Sequence, residues 1–251
     1  MATDPDQATS LEILTGLPGA GVDVIELGVP FSDAMADGPA IQEAASRALA
    51  AGGGLRKTLE LAANFRRQNQ TTPTVLMGYT NPIFNFGYKR LAREAAEAGV
   101  DGFIVVDLPP EEATELRDEL DRHNISLIRL STPTTDSARM EIIAERASGF
   151  IYHVSVAGVT GVGEADEATA APSVEALKSV TGLPIAVGFG VRTPERAAAI
   201  ARIADAVVVG SVLVEEVATA VVNNEPPQDR VMVKVKSLAR AVRSARVTRQ
   251  S

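Results

Sequence analysis

The sequence predicts an α/β fold, a (β/α) barrel of parallel strands, and three observations carry that prediction. Short apolar runs rich in Val and Ile recur along the 251 residues, each followed by a polar or Gly/Pro break and then by an Ala/Glu/Arg segment of helical spacing. The runs are unbroken rather than alternating, as strands covered on both faces must be. No shift in composition divides the chain, and barrels of about 250 residues form one domain, so residues 1–251 are read as a single unit.

The strands are expected at 22–27, 74–77, 102–106, 127–130, 150–154, 185–187 and 206–209. Helical patterns lie between them at 40–51, 55–67, 88–98, 111–123, 137–147, 173–181 and 194–203. Several open on a capping residue or an N1 proline: Asp136 or Ser137, Ser173, and Thr193 ahead of Pro194. A late helix at 231–244 follows Pro226-Pro227, and its Lys234, Lys236, Arg240 and Arg243 read as a solvated face. Seven strands are one fewer than a closed (β/α)8 TIM barrel uses. The alternative, an open doubly wound sheet, would want GxGxxG after its first strand, whereas the glycines here follow the last strands.

Composition narrows the chemistry. A net charge of −8 argues against nucleic acid and against an anionic membrane face. With no Cys, disulfides and thiolate chemistry are excluded, and two histidines, His123 and His153, cannot build a multi-histidine metal cage. No metal is therefore expected. The first residues lack a basic start and apolar run of the signal type, and no stretch has the length of a membrane span, so a cytoplasmic protein is expected.

Carboxylates, hydroxyls and backbone amides remain. Glu26 sits inside the apolar run Val24-Ile25-Glu26-Leu27, where an ionised group costs several kcal/mol unless it is paired or functional. Apolar walls would raise its pKa and suit it to moving a proton near neutrality. Asp37, in Ala36-Asp37-Gly38-Pro39, reads alone as a turn former, but it follows the same strand and can face the same mouth. Glycines cluster at 157–161, 188–190 and 209–211, each directly after a strand. Loops after the last barrel strands commonly bind phosphate, and bare amides at Gly190, Gly210 and Ser211, with a helix starting at Ser211, would serve that purpose. A small phosphorylated substrate follows.

Four segments, Glu-Leu-Gly-Val-Pro-Phe-Ser-Asp (26–33), Ala-Asp-Gly-Pro (36–39), Ala-Gly-Val-Thr-Gly (157–161) and Gly-Phe-Gly (188–190), resemble the tryptophan synthase α subunit family in order and spacing. The resemblance implies a lyase that cleaves indole-3-glycerol phosphate to indole and glyceraldehyde 3-phosphate by a retro-aldol step. It implies Glu26 and Asp37 as the catalytic pair and Tyr152 as a helper. Gly161, Gly190, Gly210 and Ser211 would hold the phosphate, and Ile41, Met77, Tyr79, Ile104, Val106, Phe189 and Val208 would wall the indole pocket. No cofactor is implied in this chain, pyridoxal phosphate belonging to a partner β subunit in an α2β2 heterotetramer. The partner surface would be the loops at 30–33, 81–82 and 107–110.

Relative to the family, Met1 begins at the loop that follows the first strand, so a barrel missing strand 1, incompletely closed and with two free parallel edges, is expected. Ala34 stands where the family usually has Pro, and Val156 where many members have Arg. The shortened barrel leaves a second reading open, a noncatalytic α chain that binds and modulates the β subunit.

Overall fold

Seven parallel strands stand side by side in chain order, β1 Ile25–Gly28, β2 Thr74–Gly78, β3 Gly102–Val105, β4 Ser126–Ser131, β5 Ile151–Val154, β6 Ile185–Gly188 and β7 Ala206–Val207. The computed structural model describes residues 1–154, 167–188 and 190–250. Each expected strand is present within a few residues. The first is shorter at its start, since residues 22–24 carry no ladder, and the last ends at Val207.

The helices run α1 Gln7–Ala20, α2 Pro39–Ala50, α3 Leu55–Gln68, α4 Thr80–Phe86, α5 Tyr88–Glu97, α6 Thr114–Asp121, α7 Ser137–Ala144, α8 Glu167–Val180, α9 Pro194–Ile203, α10 Ser211–Asn223 and α11 Pro227–Gln250. They form the outer layer, whose core divides between Leu61, Phe65, Leu91, Phe103 and Leu116 on one side and Ile151, Leu177, Ile185 and Ile200 on the other. Inside the curl, Val75, Ile104, Ile128 and Tyr152 pack on one another from four successive strands.

Three helices depart from expectation, and of these α4 matches no expected helical pattern. α1, where no helix is expected, carries Gly16, Pro18 and Gly19, yet Asp6 caps it by accepting from Thr9 N at 2.9 Å and Gly21 ends it at φ +106°. Gly16 lets α11 come close: a Cβ there would meet Met232 Sδ at 2.9 Å, so the methionine would have to shift. α8 begins well before Ser173, so that residue is interior and not a cap. Pro172 costs it one intrahelical hydrogen bond, while the buried Ala170, Val174 and Leu177 keep the helix on the sheet. The charges of the late helix lie on a solvated face as expected, Lys236, Arg240 and Arg243 being exposed and Lys234 half-buried against Glu216 at 3.7 Å.

β1 and β7 have neighbours on one side only. The segment before α1 covers the C-terminal end of β1: Ala2 N donates to Gly28 O at 2.9 Å, and the buried Asp4 accepts two bonds from Arg47 of α2 at 2.8 and 2.9 Å. α11 crosses outside the gap, packed on α1, α9 and α10.

Since Ala2 already bonds the outer edge of β1, a segment fused ahead of Met1 would run alongside that strand. Each buried backbone group left unpaired costs about 1–3 kcal/mol, so an apolar extended fusion should melt about 5 °C or more above a charged fusion of equal length. Equal melting by circular dichroism would mean that the two edges are closed in another way.

Candidate active site

The C-terminal ends of the strands open on one cavity of about 770 Å³, which reaches sideways through the gap between β1 and β7 to Val235 and Leu238 of α11. Strand alternation decides what faces it. Ile25 and Leu27 of β1 pack outward against the helices, which turns Glu26 inward. Glu26 lies deep in the protein, yet more than a third of its surface is open to the cavity. Its surroundings push the carboxyl up to about 7; burial is the chief cause, the amino group of Met1 opposes it, and the charge of Asp37 adds to it.

Asp37 ends the loop between β1 and α2. Tyr79, just before α4, donates its hydroxyl to Asp37 Oδ2 at 3.1 Å and accepts from Ala36 N at 3.1 Å. Gln42 Nε2 clamps the same loop by donating to Asp37 O at 2.8 Å and Ala34 O at 3.3 Å. Phe31 lies against Tyr79 with ring centroids 5.6 Å apart. Burial raises the Asp37 pKa, and the Tyr79 hydrogen bond works against that rise. Tyr79 itself is held well above the ordinary tyrosine range, chiefly by burial and then by the Asp37 charge.

Tyr152, buried on β5, is pushed in the same direction by burial and by the charges of Glu26 and Asp37, so it stays a neutral hydroxyl. A Cβ at Gly188 of β6 would lie 2.3 Å from Tyr152 Oη and 3.0 Å from Val208 Cβ. That glycine makes room for the tyrosine. Although Gly188 lies within the Gly-Phe-Gly segment, its packing role was not legible there.

Gly190, Gly210 and Ser211 line the same cavity. Gly190 has φ +71°, a conformation that favours glycine, and a Cβ at Gly210 would meet nothing within 4 Å, so the backbone at Gly210 is open to a ligand. Gly210 caps α10, whose first intrahelical acceptor is Gly210 O, bonded by Leu213 N at 2.9 Å. The amides ahead of Leu213 and the positive helix end are free to meet an anion. Gly161 lies outside the described residues.

Of the expected indole wall, Ile41, Met77, Tyr79, Val106 and Val208 line the cavity. Ile104 does not. It is fully buried inside the curl, where it packs with Val75, Ile128 and Tyr152. Phe189 lies outside the described residues. The sequence reading missed Met1, which lines the cavity beside Gly28, and Gln42 and Phe31, which steady the Asp37 loop. Among the described residues no group of three or more His, Asp or Glu side chains gathers to hold a metal ion.

Comparison with known proteins agrees with this geometry. Tryptophan synthase alpha chains of Phenylobacterium zucineum and Caulobacter vibrioides are 60% and 58% identical, each over 98% of this chain and 89% and 90% of their own length. The crystal structure of tryptophan synthase subunit alpha from Legionella pneumophila superposes with a TM-score of 0.90 at 39% identity, covering 97% of this chain and 90% of that one. A tryptophan synthase structure from M. tuberculosis in its aminoacrylate-bound form superposes at 0.84 and 33% identity, covering 96% and 90%. The family profile described as tryptophan synthase alpha chain matches residues 1–243, and with these relatives it establishes that the chain belongs to the tryptophan synthase alpha chain family.

Proposed function

We propose that Glu26 and Asp37 divide the work of cleaving indole-3-glycerol phosphate between them. The chain is the lyase of its family, releasing indole and glyceraldehyde 3-phosphate in tryptophan biosynthesis. One observation supports the division of labour: both carboxylates and the amide edge at Gly190, Gly210 and Ser211 line one cavity.

Protonated Glu26 gives its proton to indole C3, which leaves positive charge on the ring nitrogen. The Asp37 carboxylate, oriented by Tyr79, stabilises that charge. Glu26, now ionised, takes the proton of the side-chain hydroxyl next to C3. The C–C bond then breaks, its electron pair restores the aromatic ring, the hydroxyl carbon becomes the aldehyde, and Glu26 is protonated again. The steps balance without a cofactor. Tyr152 is the neutral neighbour that helps place the substrate, and Gly161, Gly190, Gly210 and Ser211 are the proposed phosphate donors. Ile41, Met77, Tyr79, Val106, Phe189 and Val208 are the proposed pocket wall, with Ile104 packed inside the curl.

An alpha chain implies a beta-chain partner. We assign an α2β2 heterotetramer, with pyridoxal phosphate held by the β subunit. The supporting surface lies at the cavity mouth, where Ser32 and Asp33 are exposed beside an exposed Met35, and Phe84 of α4 is also exposed. Asp107 ties two of these loops together by accepting from Thr80 N at 2.7 Å and Thr80 Oγ at 2.9 Å. We place the enzyme in the cytoplasm, with its phosphorylated substrate; among the described residues no helix is long and apolar enough to cross a membrane.

Glu26→Gln should lower indole formation about 1,000-fold and melt no lower than the parent. Asp37→Asn should lower it about 100-fold. Wild-type turnover in either variant sinks the mechanism, and a parent chain that forms no indole with its β subunit revives the noncatalytic reading.

The pH profile of kcat/KM follows from the same shifts. Glu26 must begin protonated, so the rate should fall as pH rises through about 7. Asp37 must be ionised, so the acid limb should lie above the ordinary aspartate value. A profile flat from pH 6 to 9 would remove Glu26 as the acid. For the partner surface, Asp33→Arg should weaken association with a cognate β subunit in sedimentation; unchanged association would move the interface elsewhere.

A further inference from the structure

The outer face of β4 and β5 carries a polar patch that the lyase reaction does not use. Ile128 and Leu130 point into the curl, so Arg129 and Ser131 point out toward the helices. The register sets Ser131 opposite His153, and Ser131 Oγ lies 3.0 Å from His153 Nδ1. Arg129, Ser131 and His153 are all buried, as is Arg117 of α6.

Four arginines gather around this face, and three have a carboxylate. Arg117 Nε bonds Asp121 at 2.9 and 3.0 Å, Arg139 pairs with Glu111, and Arg146 bonds Asp118 at 2.7 Å. Arg129 has none among the described residues: its Nε is buried with no acceptor, as are Arg117 NH1 and His153 Nε2. Burial, then the charges of Arg117 and Arg146, push the Arg129 guanidinium down to about 10. His153, held down to about 4 by burial, stays neutral and adds no charge. An unmatched buried guanidinium is costly, and a planar fork of N–H donors is the group best shaped to grip an oxyanion.

We propose that Arg129 and Arg117 form a second anion site, between β4 and α6 on the outside of the barrel, that takes a phosphate-class tetrahedral oxyanion. The two guanidiniums offer the unpartnered N–H groups, and the anion supplies the charge that Asp118, Asp121 and Glu111 leave unmatched. This site is separate from the cavity mouth, since it lies on the opposite face of the sheet from Glu26. Its ligand stabilises the fold around α6 and takes no part in the cleavage.

The test is an NMR titration of the full chain with inorganic phosphate, after the mouth has been saturated with glycerol 3-phosphate. The Arg129 Nε–H signal, identified as the one that Arg129→Lys removes, should move and saturate. At tenfold the Kd the melting temperature should rise by about 4 °C. Arg129→Met should lose this rise, keep the parent's kcat/KM for indole formation, and melt no lower than the parent in phosphate-free buffer. Sulfate should act like phosphate if charge and shape are what is read. A stationary Nε–H signal, an equal phosphate response in Arg129→Met, or a lower melting point for that variant without phosphate would each overturn the proposal.

Discussion

Strict sequential order is the constraint from which the rest of this structure follows. Parallel strands joined in order by right-handed crossovers put every helix on the same face of the sheet. The other face would then be bare. A sheet of Val- and Ile-rich strands cannot leave it so, and it curls until Val75, Ile104, Ile128 and Tyr152 bury one another. Curling brings the C-terminal strand ends together, which is why residues as far apart in sequence as Glu26 and Ser211 share one cavity. The curl holds although β1 and β7 do not pair, because α1, α9, α10 and α11 pack together outside that gap.

Within the cavity, environment sorts two similar carboxylates into different roles. Asp37 has a hydroxyl donor that favours its ionised form, whereas Glu26 has only depth, a nearby like charge and a single opposing amine. The pair therefore separates into a proton carrier and a fixed charge without any difference in side-chain chemistry. Tyr79 does more than wall the pocket, since it joins the Asp37 loop to the end of β2 through both lone pair and proton.

The strands and most helices were legible because burial on two faces writes itself as unbroken apolar runs. α1 was not, because Gly16 faces Met232 and Gln228 of α11, a contact more than 200 residues away in sequence that no local pattern carries. Ser173 misled for the opposite reason, since a capping residue beside a proline looks like a start even when packing carries the helix past it. Glu26 stood out as a charge in an apolar strand, and the loop glycines as open backbone after strands. The Tyr79 bond to Asp37 spans 42 residues and had no sequence signal.

The close approach of Tyr152 to the bare backbone of Gly188 ties two positions into one evolutionary unit. A side chain at 188 would have to displace the Tyr152 hydroxyl, and a smaller residue at 152 would open a void that the glycine does not fill. Because the two positions touch, substitutions at them should be non-additive.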